Sequence, residues 1–258
     1  MRRNLLSCRR HNERLDRDMA NLALLNNVDH HDLRIRTGHG AEFGDAISQA
    51  LIFPTEFEAV AREYPIFFRK DEQDEFQAVA LLGLAPEENL FLDGERWDAR
   101  YIPAIQQRGP FSIGLQRGED DEAAEPMIQI DLDHPRVSRD EGEPIFLEHG
   151  GNTPLLEGMS DALRRLYVGL QRNKPMFDAF AAHDLVEPVS VEIRLNDEQQ
   201  IDLTSFFTIG QDRFATLDGD ALARLNAEDF LRPAVWAMSS LGNVQRLIER
   251  KNRIGAAG

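Results

Sequence analysis

The sequence contains a single cysteine, Cys8, among its 258 residues. One thiol cannot form an intramolecular disulfide, and it cannot supply a zinc cluster of several thiolates. Long apolar runs are also missing, because no stretch approaches the roughly 20 apolar residues that a membrane-spanning helix requires. We therefore expect no membrane insertion, and we expect a soluble, cytoplasmic protein.

Basic residues are scarce as well, with 29 lysines and arginines against 45 acidic residues and a formal charge of −16. Nucleic acids and anionic membranes need a basic face, so we expect neither as a partner. The hydrophobic share of 42% is typical of a globular protein. A chain of this length can bury a sizeable core as one large domain or two small ones.

Recognised catalytic and nucleotide-binding motifs are absent. The sequence has no G-x-S-x-G nucleophile elbow, no G-x-G-x-x-G and no G-x-x-x-x-G-K-[ST]. Glu148 and His149 are adjacent and could transfer a proton, but the two glycines that follow them indicate a tight turn. We predict no catalytic residues and no cofactor.

The seven histidines raise the question of a metal site. His30 and Asp32 form an H-x-D sequence, which begins the two-histidine, one-carboxylate set that holds non-haem iron. Candidates for the second histidine are His134, His149 and His183. H-x-D is short enough to arise by chance, and this copy lies outside the predicted strands. We predict no metal site, and we keep a non-haem iron oxygenase, or another enzyme acting on a peptide or small molecule, as the alternative function.

Residues 1–18 differ from the rest of the chain, with six arginines against three acidic residues. They lack the apolar centre of a secretory signal peptide. We predict a disordered basic extension, with either Met1 or Met19 as the true start. A single domain is predicted over residues 19–258, and two domains divided near residues 143–153 are the alternative.

The order of the predicted elements indicates an α+β fold, with a mainly antiparallel, sheet-rich N-terminal half (about 41–148) and a helix-rich C-terminal half (about 153–250). Predicted strands cover residues 50–54, 66–69, 76–84, 90–93, 127–132 and 144–147, with a later hairpin at 189–195 and 200–207. Predicted helices cover residues 57–63, 155–171, 176–183, 217–225 and 229–249. Thr55 is predicted to cap the first helix, with Glu58 completing a capping box.

Aromatic residues and arginines alternate between Glu88 and Gln116. Such side chains can stack on a sugar ring, a base or a side chain of a partner protein. The competing interpretation is that Trp97 packs in the core and that the arginines pair with acidic residues. The predicted residues for binding a protein partner, or a small-molecule or carbohydrate ligand, are Trp97, Arg100, Tyr101, Arg108 and Phe111. The other tryptophan, Trp236, lies in a predicted helix and is expected in the core more firmly than Trp97.

Short motifs extend along most of the chain. They are His31 with Leu33; Pro54, Glu56 and Phe57; Tyr64-Pro65-Ile66-Phe67-Phe68; Ala80-Leu81-Leu82-Gly83-Leu84; Glu88-Asn89-Leu90-Phe91; Trp97, Tyr101, Pro103 and Ala104; Arg108, Pro110 and Phe111; Leu185-Val186-Glu187-Pro188; and Phe206-Phe207-Thr208-Ile209. In this combination, over about residues 22–250, the sequence resembles the SapC family, which is named for its association with a bacterial surface layer.

Two segments depart from the family pattern. Residues 107–111 read QRGPF where RRYPF is expected, and residues 146–150 read FLEHG where FDEDG is expected. The resemblance implies an accessory role in the uptake or modification of a surface substrate. We predict a non-catalytic binding or accessory protein of a Gram-negative bacterium, associated with surface-layer or outer-membrane uptake and modification systems. The resemblance also implies association with the cell surface. We predict that the Trp97–Phe111 region, with its aromatic residues and arginines, is the contact surface.

Overall fold

The computed structural model describes residues 21–116, 125–196 and 199–255, so the predicted extension at 1–18 lies outside the described residues. The predicted fold class is confirmed, because helices are mixed with antiparallel sheets and the strands lie mostly in the N-terminal part. The strands are β1 (Leu22–Leu24), β2 (Arg34–Ile35), β3 (Gln49–Ile52), β4 (Ile66–Lys70), β5 (Phe76–Leu81), β6 (Leu92–Asp93), β7 (Arg96–Trp97), β8 (Phe111–Gln116), β9 (Glu125–Asp131), β10 (Val137–Ser138), β11 (Glu143–Pro144), β12 (Val186–Arg194) and β13 (Gln200–Ile209). The helices are α1 (Phe57–Ala61), α2 (Ala104–Gln107), α3 (Pro154–Ala181), α4 (Gln211–Ala215), α5 (Gly219–Ala227), α6 (Leu231–Ser240) and α7 (Asn243–Gly255).

The chain divides into two compact units. The first unit comprises the described residues within Met1–Thr37 and Arg108–Ser160, and the second comprises those within Gly38–Gln107 and Asp161–Gly258. Each unit is therefore built from two separate stretches of the sequence.

The first unit contains two small antiparallel sheets, with strand orders β1-β9-β8 and β10-β2-β11. Phe111 in β8 pairs with Ile130 in β9, and both side chains are fully buried. Ile35, in the central strand of the other sheet, is also fully buried. A few large apolar side chains thus provide the interior of this unit.

The second unit contains a five-stranded antiparallel sheet with the order β12-β13-β4-β5-β3. Residues of α3 pack against it through aromatic contacts, since the ring centroids of Phe68 and Phe177 are 5.0 Å apart and those of Phe76 and Phe177 are 5.5 Å apart. The predicted division of α3 into two helices is wrong, because one helix continues through Pro175. Met176, Phe177 and Phe180 follow the proline and are buried, and this burial offsets the backbone hydrogen bond that Pro175 cannot donate.

The start of α1 differs from the prediction. A 3-10 turn at Pro54–Glu56 precedes the helix, and the side chain of Glu56, not that of Glu58, accepts a hydrogen bond from the Phe53 N–H. Thr55 instead donates to the Arg165 carbonyl, and Glu58 pairs with Arg62 on the helix surface. The glutamate that is buried inside the second unit is therefore Glu56.

The predicted helix at 229–249 is two helices, α6 and α7, with a break between Ser240 and Asn243. Hydrogen bonds to β4 and to the residues before it hold this break in place. Ser240 Oγ accepts the Ile66 N–H at 2.8 Å, and Asn243 Nδ2 donates to the carbonyls of Ala61 and Tyr64. In the part of the chain that the structure describes, no helix is long and apolar enough to cross a membrane.

Candidate functional site

Trp97 lies in β7 of the second unit and is buried, with 6% of its surface exposed. Its indole Nε1–H donates to the Tyr64 hydroxyl at 2.8 Å, and the Tyr64 hydroxyl donates to the Tyr101 carbonyl. The ring of His39 packs edge-on against the indole, with centroids 5.5 Å apart. The side chain of Trp97 is thus a hydrogen-bonded part of the interior.

Tyr101 is connected to a buried carboxyl group. Its hydroxyl donates to Glu56 Oε2 at 2.8 Å, and the backbone N–H of Ala104 donates to the same oxygen at 2.9 Å. The other oxygen, Oε1, accepts the Phe53 N–H at 3.2 Å. We name the side chains of Glu56, Tyr64, Trp97 and Tyr101, with these bonds, the Glu56 network.

Burial controls the electrostatics of this network. It raises the pKa of the Glu56 carboxyl, while the three hydrogen bonds and the positive charge of Arg165 act in the opposite direction. Burial also raises the pKa of the Tyr64 hydroxyl, and burial together with the neighbouring Glu56 raises the pKa of Tyr101. Both tyrosines therefore remain protonated donors at physiological pH.

The chemistry open to the network follows from these partners. Both oxygens of Glu56 are already bonded to groups of the chain, so the carboxyl does not present a free acceptor to a substrate. The bonds fix the conformation of the segment from Trp97 to Ala104 relative to α1. We interpret the network as a structural support for the exposed residues of that segment.

Sequence reasoning did not identify Glu56 as part of the site. Glu56 and Tyr101 are 45 positions apart, and Tyr64 and Trp97 are 33 positions apart. The available indication was that all four residues belong to the short motifs that resemble the SapC family. Those motifs meet in one hydrogen-bond network.

Arg100 has the opposite environment. It is exposed, and no other described residue forms an ion pair or hydrogen bond with its side chain. Arg96 is also exposed, with a long contact of 3.5 Å to Asp93. Between them, the carboxylate of Asp98 pairs with Arg250 of α7 at 2.8 Å. The surface of this segment is thus rich in arginine.

Arg108 and Phe111 belong to the first unit, so the five predicted binding residues are divided between the two units. Arg108 Nη1 donates to the carbonyl of Phe111 at 2.8 Å, and the Phe111 ring is fully buried. The structure brings Trp97, Arg100 and Tyr101 into one segment of the second unit. Binding by any of the five stays a prediction.

His30 and Asp32, the H-x-D pair considered for metal binding, have other partners. His30 is buried and its Nδ1 accepts the Asn26 N–H at 3.1 Å. Asp32 forms a hydrogen-bonded ion pair with Arg139, which lowers the pKa of the aspartate. Across residues 21–116, 125–196 and 199–255, no group of three or more His, Cys, Asp or Glu side chains is arranged to hold a metal ion.

The Glu148–Gly151 stretch forms an exposed turn. The Leu147 N–H donates to the Gly151 carbonyl, and both Gly150 and Gly151 have positive φ angles, of 88° and 92°. Such angles favour glycine, which agrees with the turn predicted there. Glu148 and His149 are therefore surface residues of a turn.

The first unit also has an open groove of about 440 Å³. Its walls come from the residues after β1, from β9, and from the turn and helix that follow β11. The lining includes Leu25, Asn27, Met127, Phe146, Asn152 and Leu156. None of the predicted binding residues lines this groove.

The model of the SapC family matches residues 25–247 of this chain. Among curated proteins and among solved structures, none matches the chain. The matched region includes every residue of the Glu56 network and ends within α7.

Proposed function

This chain belongs to the SapC family, and we propose that it is a non-catalytic binding protein that uses the exposed side of the Trp97–Tyr101 segment. Arg100 is proposed to contact the partner, while Trp97 and Tyr101 hold the segment in position. The partner is proposed to be a protein, and a carbohydrate or other small molecule is the alternative. A binding role for Arg108 and Phe111 remains a separate proposal for the first unit.

The observation that carries the proposal is the contrast between the two sides of this segment. The inward side chains are fully used in hydrogen bonds within the Glu56 network. The outward side chain of Arg100 has no bonded partner among the described residues. An exposed guanidinium on a well-fixed segment is suited to binding, because little conformational entropy is lost by the backbone when a partner binds.

Two observations favour binding over catalysis. The titratable groups of the network are bonded to one another and to the backbone, so they are not placed to exchange protons with a substrate. The described residues also contain no G-x-S-x-G elbow and no group of metal-ligating side chains. The proposed accessory role, in surface-layer or outer-membrane uptake and modification systems of a bacterium, is supported by family membership.

Co-purification tests the proposal. The protein would carry an affinity tag in its native bacterium, as the wild type, as Arg100→Ala and as Arg224→Ala. Arg224 is a matched control, because it is an exposed arginine on α5 without a bonded partner in the described part of the chain. We expect a protein that is captured by the wild type and by Arg224→Ala but is depleted with Arg100→Ala. Equal capture by all three proteins would contradict the proposed surface.

A further inference from the structure

Five arginines lie on helix α7 or on the neighbouring stretch of chain. Arg96 directly precedes the Trp97–Tyr101 segment, Arg100 lies within it, and Arg246, Arg250 and Arg253 come from the helix. The helical arginines are four and three residues apart, so they lie along one side of α7. We name these five residues the arginine face.

Arg250 joins the two elements of the arginine face. Its Nη1 is 2.8 Å from the Asp98 carboxylate, its Nη2 donates to the Asp98 carbonyl at 2.9 Å, and its guanidinium lies 4.4 Å from the centroid of the Phe91 ring. The pKa of Asp98 is lowered chiefly by Arg250, and the charges of Arg96 and Arg253 contribute. These guanidinium groups are thus close enough to act on the same carboxylate.

The carboxylates near the arginine face do not neutralise all of its arginines. Asp98 is used by Arg250, and Asp93 is 3.5 Å from Arg96. Glu249 of α7 accepts a hydrogen bond from Gln245, and the carboxyl group of Glu95 lies towards Gly38. Within the described ranges, Arg100 and Arg253 therefore have no carboxylate partner, and Arg246 has only a backbone contact at 3.4 Å to the Arg62 carbonyl.

Arginines without a carboxylate partner are unexpected in a chain whose formal charge is −16. Elsewhere on the surface, basic side chains pair with acids, as in Arg36–Glu141, Lys70–Asp74 and Arg139–Asp32. Arg194, Arg213 and Arg224 also have no bonded partner in the described part of the chain, but they lie on three separate elements. Among the described residues, the arginine face is the one place where such arginines come from two adjacent elements that an ion pair holds together.

We infer that the arginine face binds a short, carboxylate-rich segment of the partner protein, an inference that rests on the proposed function. A guanidinium binds a carboxylate with two parallel hydrogen bonds, and such bonds are stronger than those between neutral groups. An extended polyanion, such as a nucleic acid or an anionic membrane, would be repelled by the remaining acidic surface. A short segment experiences mainly the local charges, because salt screens charges beyond about 8 Å at physiological ionic strength.

Fluorescence anisotropy with a labelled peptide of alternating glutamate and serine tests this inference on the purified full chain. We expect the wild type to bind this peptide, to lose affinity when salt is raised, and to ignore a peptide with glutamine in place of glutamate. The double variant Arg100→Ala/Arg253→Ala should bind at least about tenfold more weakly, as expected for the loss of about 1.4 kcal/mol. The control double variant Arg213→Ala/Arg224→Ala should bind like the wild type.

The inference is overturned if the Arg100→Ala/Arg253→Ala protein binds the glutamate peptide as well as the wild type does. It is also overturned if the glutamine peptide, an oligonucleotide or a phosphatidylglycerol vesicle binds better than the glutamate peptide. Thermal unfolding of both double variants shows whether a loss of binding comes from a loss of fold.

Co-purification separates failure of this inference from failure of the proposed function. If a captured protein is lost with Arg100→Ala but is retained with Arg253→Ala and at raised salt, the inference of an acidic segment is wrong. The proposed binding surface then still stands. A captured protein that is insensitive to Arg100→Ala overturns both. If capture of the protein falls with Arg100→Ala and with Arg253→Ala, and falls further as salt is raised, both the inference and the proposed function are supported.

Discussion

Trp97 and Arg100 lie three residues apart in one segment, and they have opposite environments. Trp97 is buried and donates a hydrogen bond to Tyr64, whereas Arg100 is exposed and has no bonded partner among the described residues. Both were predicted to bind a ligand because aromatic and arginine side chains serve in recognition. The structure separates a supporting residue from one that a partner can reach.

This difference shows how a short motif can combine two tasks. Trp97 and Tyr101, with Glu56 and Tyr64 from a distant part of the chain, determine where the segment lies. Arg100 lies between Trp97 and Tyr101 in the sequence but does not help to position the segment, so the fold does not require an arginine there. Substitutions on the two sides should therefore affect different measurements, and the following predictions run from the largest expected change in stability to the smallest.

Trp97→Ala should give the largest loss of stability. Removal of a buried indole leaves a cavity and takes away the N–H donor of the Tyr64 hydroxyl, which together cost about 3–5 kcal/mol. Urea unfolding measures this loss. Trp236→Ala is the matched control and should cost less, because Trp236 is only partly buried on α6. A loss for Trp97→Ala no greater than that for Trp236→Ala would contradict the interior role of Trp97.

Glu56→Ala should cost about 3 kcal/mol, because the N–H groups of Phe53 and Ala104 and the hydroxyl of Tyr101 lose their acceptor inside the protein. Urea unfolding again gives the free energy. Glu58→Ala is the control, since Glu58 lies on the surface and pairs only with Arg62. Comparable small losses for both substitutions would mean that the Glu56 network contributes little to stability.

Glu56 should also make stability depend on pH. Its pKa in the folded protein lies above the ordinary value of 4.5, so the folded state binds the proton more tightly than the unfolded state. The stabilisation from this proton is complete below the unfolded-state pKa and is lost as pH rises through the folded-state pKa. Glu56→Gln has no titrating proton at this position. Its altered hydrogen bonds lower the free energy of unfolding by an amount that does not change with pH.

Urea unfolding of the wild type and of Glu56→Gln, measured from about pH 4 upward, tests this prediction. The free energy of unfolding of the wild type minus that of the variant should fall as pH rises above the ordinary glutamate range. A difference that stays constant or grows with pH would show that Glu56 is not the group responsible.

Tyr101→Phe should have a smaller effect, of about 1–2 kcal/mol. The ring remains in place, but Glu56 Oε2 loses the hydroxyl donor and keeps only the Ala104 N–H. Tyr167→Phe is the control, because the half-buried Tyr167 hydroxyl has no hydrogen bond within the described residues. Thermal or urea unfolding should separate the two variants, and equal stability would argue against a strong Tyr101–Glu56 bond.

Arg100→Ala should change the free energy of unfolding by less than about 0.5 kcal/mol, as is usual for an exposed residue without partners. Its effect should appear only in partner binding. Urea unfolding beside the co-purification assay tests both parts of this prediction. A loss of stability comparable to that of Tyr101→Phe would mean that Arg100 also helps to hold the segment in position. Its contrast with Trp97 would then disappear.

Local patterns in the sequence were sufficient for several elements. The hairpin predicted at 189–195 and 200–207 is the β12–β13 pair, and the alternating residues at 127–132 form most of β9. Local rules failed at Pro175, because a proline predicts a break that burial of Phe177 and Phe180 overrides. They also ranked the two tryptophans in the wrong order, since Trp236 was the more firmly expected in the core but Trp97 is the more deeply buried.

The sequence by itself determined the α+β class, the negative net charge and, through its short motifs, membership of the SapC family. Only the tertiary structure decided which motif residues meet. Glu56 and Tyr101, or Asp98 and Arg250, are far apart in the chain, and their pairing depends on how α1, β7 and α7 pack. Periodicity reports which side of an element is apolar, because it reflects neighbours along the chain. It contains no information about which distant polar group will satisfy a buried carboxyl, and burial makes that partner necessary.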